Sequence, residues 1–130
     1  MLAAIRRYPV TTLFVAVILV VCMIPIPETP LSDVSLIDKW THVAMYAALE
    51  VVFFTELNRN RASLGTAALL VATVVAPAAL GGLVELMQAY LTTCRSGEWA
   101  DLLADCVGVV IGALFGRFVI TPVFRRIRRR

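Results

Sequence analysis

The chain has 130 residues, of which 60% are hydrophobic and 16% charged, with a mean hydropathy of +0.86. A soluble domain of this size exposes too much surface for so few polar groups, whereas a bilayer-embedded chain needs them only at its ends. At roughly 20 apolar residues per crossing, the length allows about four crossings with short connections and no separate catalytic domain.

The net charge of +3 has a local source, because Arg125, Arg126, Arg128, Arg129 and Arg130 crowd the C-terminal end. A short basic tail beside an apolar helix is a topology signal and a contact for anionic membrane lipids. It lacks the interleaved aromatics that would stack bases, so nucleic acid is not an expected partner. The three cysteines, Cys22, Cys94 and Cys106, have no CxxC spacing and read as packing residues rather than a disulfide or zinc framework.

In chain order, the first predicted helix covers residues 8–26, uncharged after Arg6 and Arg7. Pro25, Pro27 and Pro30 follow where a signal peptide would show a small-residue cleavage site, so an uncleaved helix is expected. The second covers 37–57, with Asp38 and Lys39 at its start and Glu50 inside. The third covers 62–91, with Pro77 expected to kink it and with Glu85 and Gln88 in its last turns. The fourth covers 99–124 and includes Asp101, Asp105 and Arg117.

These elements define an all-α fold, a single-domain four-helix transmembrane bundle over residues 1–130. Its orientation follows from the basic residues. Arg6, Arg7, Arg59, Arg61, Arg117 and the five tail arginines lie on one side, against Lys39 and Arg95 on the other. That imbalance places both termini in the cytoplasm of a multi-pass cytoplasmic-membrane protein.

With this topology the polar residues gather at the outer face. Asp38, His42 and Tyr46 recur every four residues, one stripe descending along the second helix. Glu85 and Gln88 share a face of the third helix. Asp101 and Asp105 continue into Gly108, Gly112 and Gly116 on the fourth, where the glycines read as small-xxx-small packing. Each member has an ordinary structural reading: Asp38 and Asp101 as helix starts, Lys39 and Arg95 as snorkelling cations, Trp40 and Trp99 as interfacial anchors. Together they are harder to explain so, because a lone carboxylate within the membrane costs about 2.5–3.5 kcal/mol and must face a partner or water. The expected pocket therefore comprises Asp38, Lys39, His42, Tyr46, Glu85, Gln88, Arg95, Asp101 and Asp105. Glu50 lies about 18 Å below Asp38 by helical rise, apart from them.

At these positions the sequence resembles the VanZ-like family of small bacterial membrane proteins. Asp38-Lys39-Trp40-Thr41-His42 with Tyr46 is similar to the family's D-K-x-x-H-x-x-x-Y motif, and Gly81, Glu85 and Gln88 to its G-x-x-x-E-x-x-Q pattern. Arg95, Asp101, Gly108 and Gly112 resemble its R…D…N-x-x-G-x-x-x-G ending, with Asp105 standing where that pattern shows asparagine. The resemblance implies a role at the cell envelope, with a link to resistance to the glycopeptide teicoplanin, and no particular reaction.

Three mechanisms fit the residues. The pocket could bind an outer-leaflet amphiphile, either a lipid-linked wall precursor or a lipidated glycopeptide, with Lys39 and Arg95 meeting an anionic head. It could act as an acid/base enzyme on a lipid-linked substrate, through His42 or Glu85. It could carry ions or protons past Glu50, Tyr46 and His42. No serine or threonine nucleophile, HExxH or phosphate loop stands in the stripes, which ranks binding first and the carrier last. One histidine without a short ligand pair leaves no metal and no cofactor expected.

Overall fold

The computed structural model of the chain describes residues 2–24, 37–92 and 98–130. Among the described residues every regular element is helical: α1 Leu2–Arg7, α2 Pro9–Met23, α3 Ile37–Arg59, α4 Thr66–Leu91 and α5 Trp99–Ile127. Helices α4 and α5, at 26 and 29 residues, are long and apolar enough to cross a membrane. Helix α2 has 15 residues, about 22 Å at ~1.5 Å per residue, short of a ~30 Å hydrocarbon core.

Boundaries move from the sequence expectation for local reasons. The first expected helix starts at Pro9 rather than at 8 and is preceded by the unexpected α1, with Tyr8 between them at φ −129° and ψ 60°, because the ring of a proline disfavours helical backbone in the residue before it. Positions 25 and 26 lie outside the described residues. The third helix begins at Thr66 rather than at 62, since Gly65 takes an extended conformation at its N-terminus. The end of α3 is a Schellman turn in which Arg61 has φ 51°, Ala62 N–H donates to Leu57 O (3.1 Å) and Arg61 N–H to Asn58 O (3.1 Å). Just before Pro77, where a kink is expected, the helix continues through a π-turn over Val71–Val75, closed by Ala76 N–H on Val71 O. Pro122 is preceded by another, Gly116–Ile120, closed by Thr121 N–H on Gly116 O. A widened turn accommodates the carbonyl that a helical proline leaves without a donor.

One apolar cluster joins α2 through Ile18 and Cys22, α3 through Tyr46 and Leu49, α4 through Val84 and α5 through Val109. The closest pair is α3 with α5. A methyl added to Gly108 would strike the Val43 carbonyl, one added to Gly112 would lie 2.6 Å from the Ala47 carbonyl oxygen, and one added to Gly116 would enter the Phe54 ring. The glycine stripe thus sets the backbone separation.

Polarity is inverted relative to a water-soluble fold. Leu13, Val20, Val71, Leu103, Ile111 and Phe118 face outward, while His42, Glu50, Glu85, Gln88, Asp101 and Asp105 are buried. At the end opposite the acidic stripes, Glu56 on α3 accepts Val10 N–H (3.0 Å), Thr11 N–H (2.8 Å) and the Thr11 hydroxyl (2.7 Å). A carboxylate there satisfies free donors of the first turn of α2 and opposes its positive dipole end.

Candidate functional site

The spacing of four residues puts Asp38, His42 and Tyr46 on one face of α3, and Asp101 and Asp105 on one face of α5. Because the glycines let the two backbones approach, these faces meet directly. His42 Nδ1 lies 2.8 Å from Asp105 Oδ1, with both side chains buried. A carboxylate only accepts, so the imidazole N–H donates and Asp105 fixes the ring. Helix α4 closes on the same point through Gly81, where an added methyl would lie 2.6 Å from Asp105 Oδ2.

Nearer the start of α3 the site is ionic. Lys39 Nζ sits 3.2 Å from Glu98 Oε2 and 3.2 Å from Asp101 Oδ1. The Glu98 backbone N–H donates to Glu85 Oε2 at 2.7 Å, tying the start of α5 to the end of α4. Other polar atoms remain without hydrogen bonds among the described residues: Glu85 Oε1, Asp105 Oδ2 and the Tyr46 hydroxyl. The hydroxyl faces the Asp105 carboxylate without completing a hydrogen bond to it.

Of the expected pocket residues, Asp38, Lys39, His42, Tyr46, Glu85, Asp101 and Asp105 come together at this end. Gln88 turns toward α2, and its amide donates to Cys22 O at 3.0 Å. Arg95 lies outside the described residues, as does Cys94. Glu50 is buried elsewhere, on the wall of a cavity of about 380 Å³ with Thr11, Phe53 and Pro77, and its Oε2 has no partner there.

Glu98 is legible in the sequence as one of the acids of the outer connection but not as a pocket residue, because it carries no periodic signal. Its position one residue before α5, within reach of Lys39, is what makes it part of the site. It also lines a groove of about 200 Å³ with Glu85, Leu86, Tyr90, Trp99 and Leu102. Two sets of side chains, Asp38–His42–Asp101 and His42–Glu85–Asp105, each bring one ligand atom per residue within 4.8 Å of the others.

Chemically, the site offers an imidazole oriented by a buried carboxylate, an ammonium held by two acids, and a carboxylate oxygen on Glu85 beside an apolar groove. Comparison with family models, with curated proteins and with solved structures finds no match to this chain.

Proposed function

We propose that the chain is a VanZ-like, four-helix bundle of the bacterial cytoplasmic membrane, with both termini inside, whose outer-face pocket binds the polar head of a cell-envelope amphiphile. The observation that carries this reading is the groove beside Glu85. Two carboxylates, Glu85 and Glu98, share it with Leu86, Tyr90, Trp99 and Leu102, and Tyr90 and Trp99 are 81% and 80% exposed at its edge. A ligand with a polar head and an apolar tail matches such a groove at both ends.

The head is better matched by hydroxyl or ammonium donors than by a bare phosphate, since Lys39 is already engaged by Glu98 and Asp101. A lipid-linked wall precursor bearing sugar and peptide, and a lipidated glycopeptide, both carry such donors. The connection to teicoplanin resistance rests on the motif resemblance alone.

A second reading, an acid/base enzyme acting on a lipid-linked substrate, draws on the 2.8 Å contact between His42 and Asp105. An acid that fixes the ring and its tautomer is the usual partner of a histidine base.

The test compares teicoplanin susceptibility in a bacterial host expressing the wild type, Glu85→Gln, His42→Gln or Glu50→Gln at matched levels. The expected result is that the wild type shifts susceptibility, the first two variants do not, and Glu50→Gln behaves like the wild type. Native mass spectrometry of the wild type should retain an amphiphile that Glu85→Gln releases. If both pocket variants match the wild type in both measurements, the cluster is only a brace between helices.

A further inference from the structure

Each of the two carboxylate sets contains His42, but they differ in how their charge is met. In the Asp38–His42–Asp101 set, the Asp101 carboxylate already has the Lys39 ammonium at 3.2 Å. In the His42–Glu85–Asp105 set all three side chains are buried, and two acids stand against a single imidazole. Among the described residues no lysine or arginine ion pair reaches Glu85 or Asp105. Burying two carboxylates without a counter-charge is costly, so such groups are paired or hold a metal.

The unused atoms are those a cation would take. Asp105 is 0% exposed and Glu85 7%, yet Asp105 Oδ2 and Glu85 Oε1 have no hydrogen-bond partner. The Tyr46 hydroxyl, also buried and unpartnered, faces Asp105. From these orphaned oxygens and the clustered donor atoms, we propose that His42, Glu85 and Asp105 hold a divalent first-row cation, Zn²⁺ or Mn²⁺, at the floor of the pocket.

The donor set fits the ion. One neutral imidazole and two carboxylates bring a charge of −2, which a divalent cation neutralises, and mixed nitrogen and oxygen ligands suit Zn²⁺ or Mn²⁺. Metal–ligand bonds of about 2.0–2.2 Å require the donors to draw in from their present spacing. Glu85, with its rotatable side chain, is the ligand able to move, and His42 and Asp105 are already in contact. Binding replaces the proton they share, so ion uptake releases a proton when the imidazole was charged. The groove along Glu85 and Glu98 gives the ion a way in. Three protein ligands leave at least one coordination position open for water or a ligand oxygen.

The experiment uses the full-length protein in detergent, stripped with EDTA and dialysed against Zn²⁺ or, separately, Mn²⁺. Wild type should take up about one ion per chain, as a single set of three protein ligands does. Asp105→Asn and Glu85→Gln should bind roughly a hundredfold more weakly, beyond most losses caused by outer-shell changes. Glu50→Gln, which neutralises a buried carboxylate outside the set, should bind like the wild type. X-ray absorption at the metal edge should show nitrogen and oxygen neighbours with one imidazole. Wild type that takes up no more ion than Asp105→Asn overturns the proposal, as does sulfur in the coordination shell or equal loss in Glu50→Gln. Should the ligand variants fail to fold, uptake by the wild type and its absorption spectrum decide alone. None of these readouts depends on an amphiphile, so failure of that reading leaves this one standing.

Discussion

Asp105 combines a hydrogen bond and a charge that one substitution separates. Its Oδ1 accepts from His42, a role that an asparagine carbonyl also fills, while its negative charge serves only a cation or an ion pair. In the presence of EDTA, Asp105→Asn should therefore lower stability by less than about 1 kcal/mol, the scale of one net hydrogen bond. Asp105→Ala leaves the buried His42 N–H unpaired and should cost about 1–3 kcal/mol. Thermal unfolding in detergent distinguishes them, and equal losses would mean that charge, not the hydrogen bond, holds the ring. At the other end of α3, Glu56→Ala removes the acceptor for Val10 and Thr11 N–H and should cost about 0.5–2 kcal/mol, as loss of an N-terminal cap does. This cap is not legible in the sequence. The carboxylate and the helix it serves are 45 residues apart, and no local pattern links them.

At the scale of the element, the glycine stripe on α5 is a packing device whose strength can be read position by position. Gly112→Ala brings a methyl to 2.6 Å from the Ala47 carbonyl oxygen, where only backbone can yield, and should cost about 1–3 kcal/mol. Gly82→Ala, on α4 with nothing within 4 Å, should be neutral or gain up to about 1 kcal/mol from helix propensity. Arg61→Gly relieves a left-handed backbone conformation at the end of α3 and should raise the melting temperature. Repeated spacing is what made these elements legible. The four-residue steps from Asp38 to Tyr46 and the three- and four-residue steps from Asp101 to Gly116 announce which faces meet, because helical period converts sequence directly into a surface. What escaped is aperiodic. The start of α4 at Thr66, the role of Glu98 and the turn of Gln88 toward Cys22 depend on where a chain segment lands, and composition carries no record of that. Pro77 is legible as a kink and Pro122 is not singled out, and the π-turns before both depend on how the freed carbonyls are met.

For the whole molecule, the decisive feature is that α3 has two polar ends joined by an apolar bundle. Asp38 and Glu56 are eighteen residues apart on α3, about 27 Å by helical rise, which approaches the ~30 Å hydrocarbon thickness. One end carries the acids with His42 and Lys39. The other holds Arg61, Arg117, Arg125 and Arg128 around a cavity of about 420 Å³, with an Arg128 guanidinium on the Asn58 carbonyl. A membrane-inserted chain keeps its arginine-rich end in the cytoplasm, where anionic lipid and the insertion machinery favour it. Under the topology proposed above, the acidic site opens on the outer face, the side on which an envelope amphiphile lies. Single cysteines test this with Cys22, Cys94 and Cys106 replaced by alanine. Asn60→Cys, in the exposed turn after α3, should resist a membrane-impermeant thiol reagent on intact spheroplasts and react once they are permeabilised. Leu91→Cys, 72% exposed at the far end of α4, should react in both conditions. The reverse pattern would place the acidic site in the cytoplasm and end the amphiphile reading. Labelling of both positions in intact cells would mean that the bundle does not separate two compartments at all.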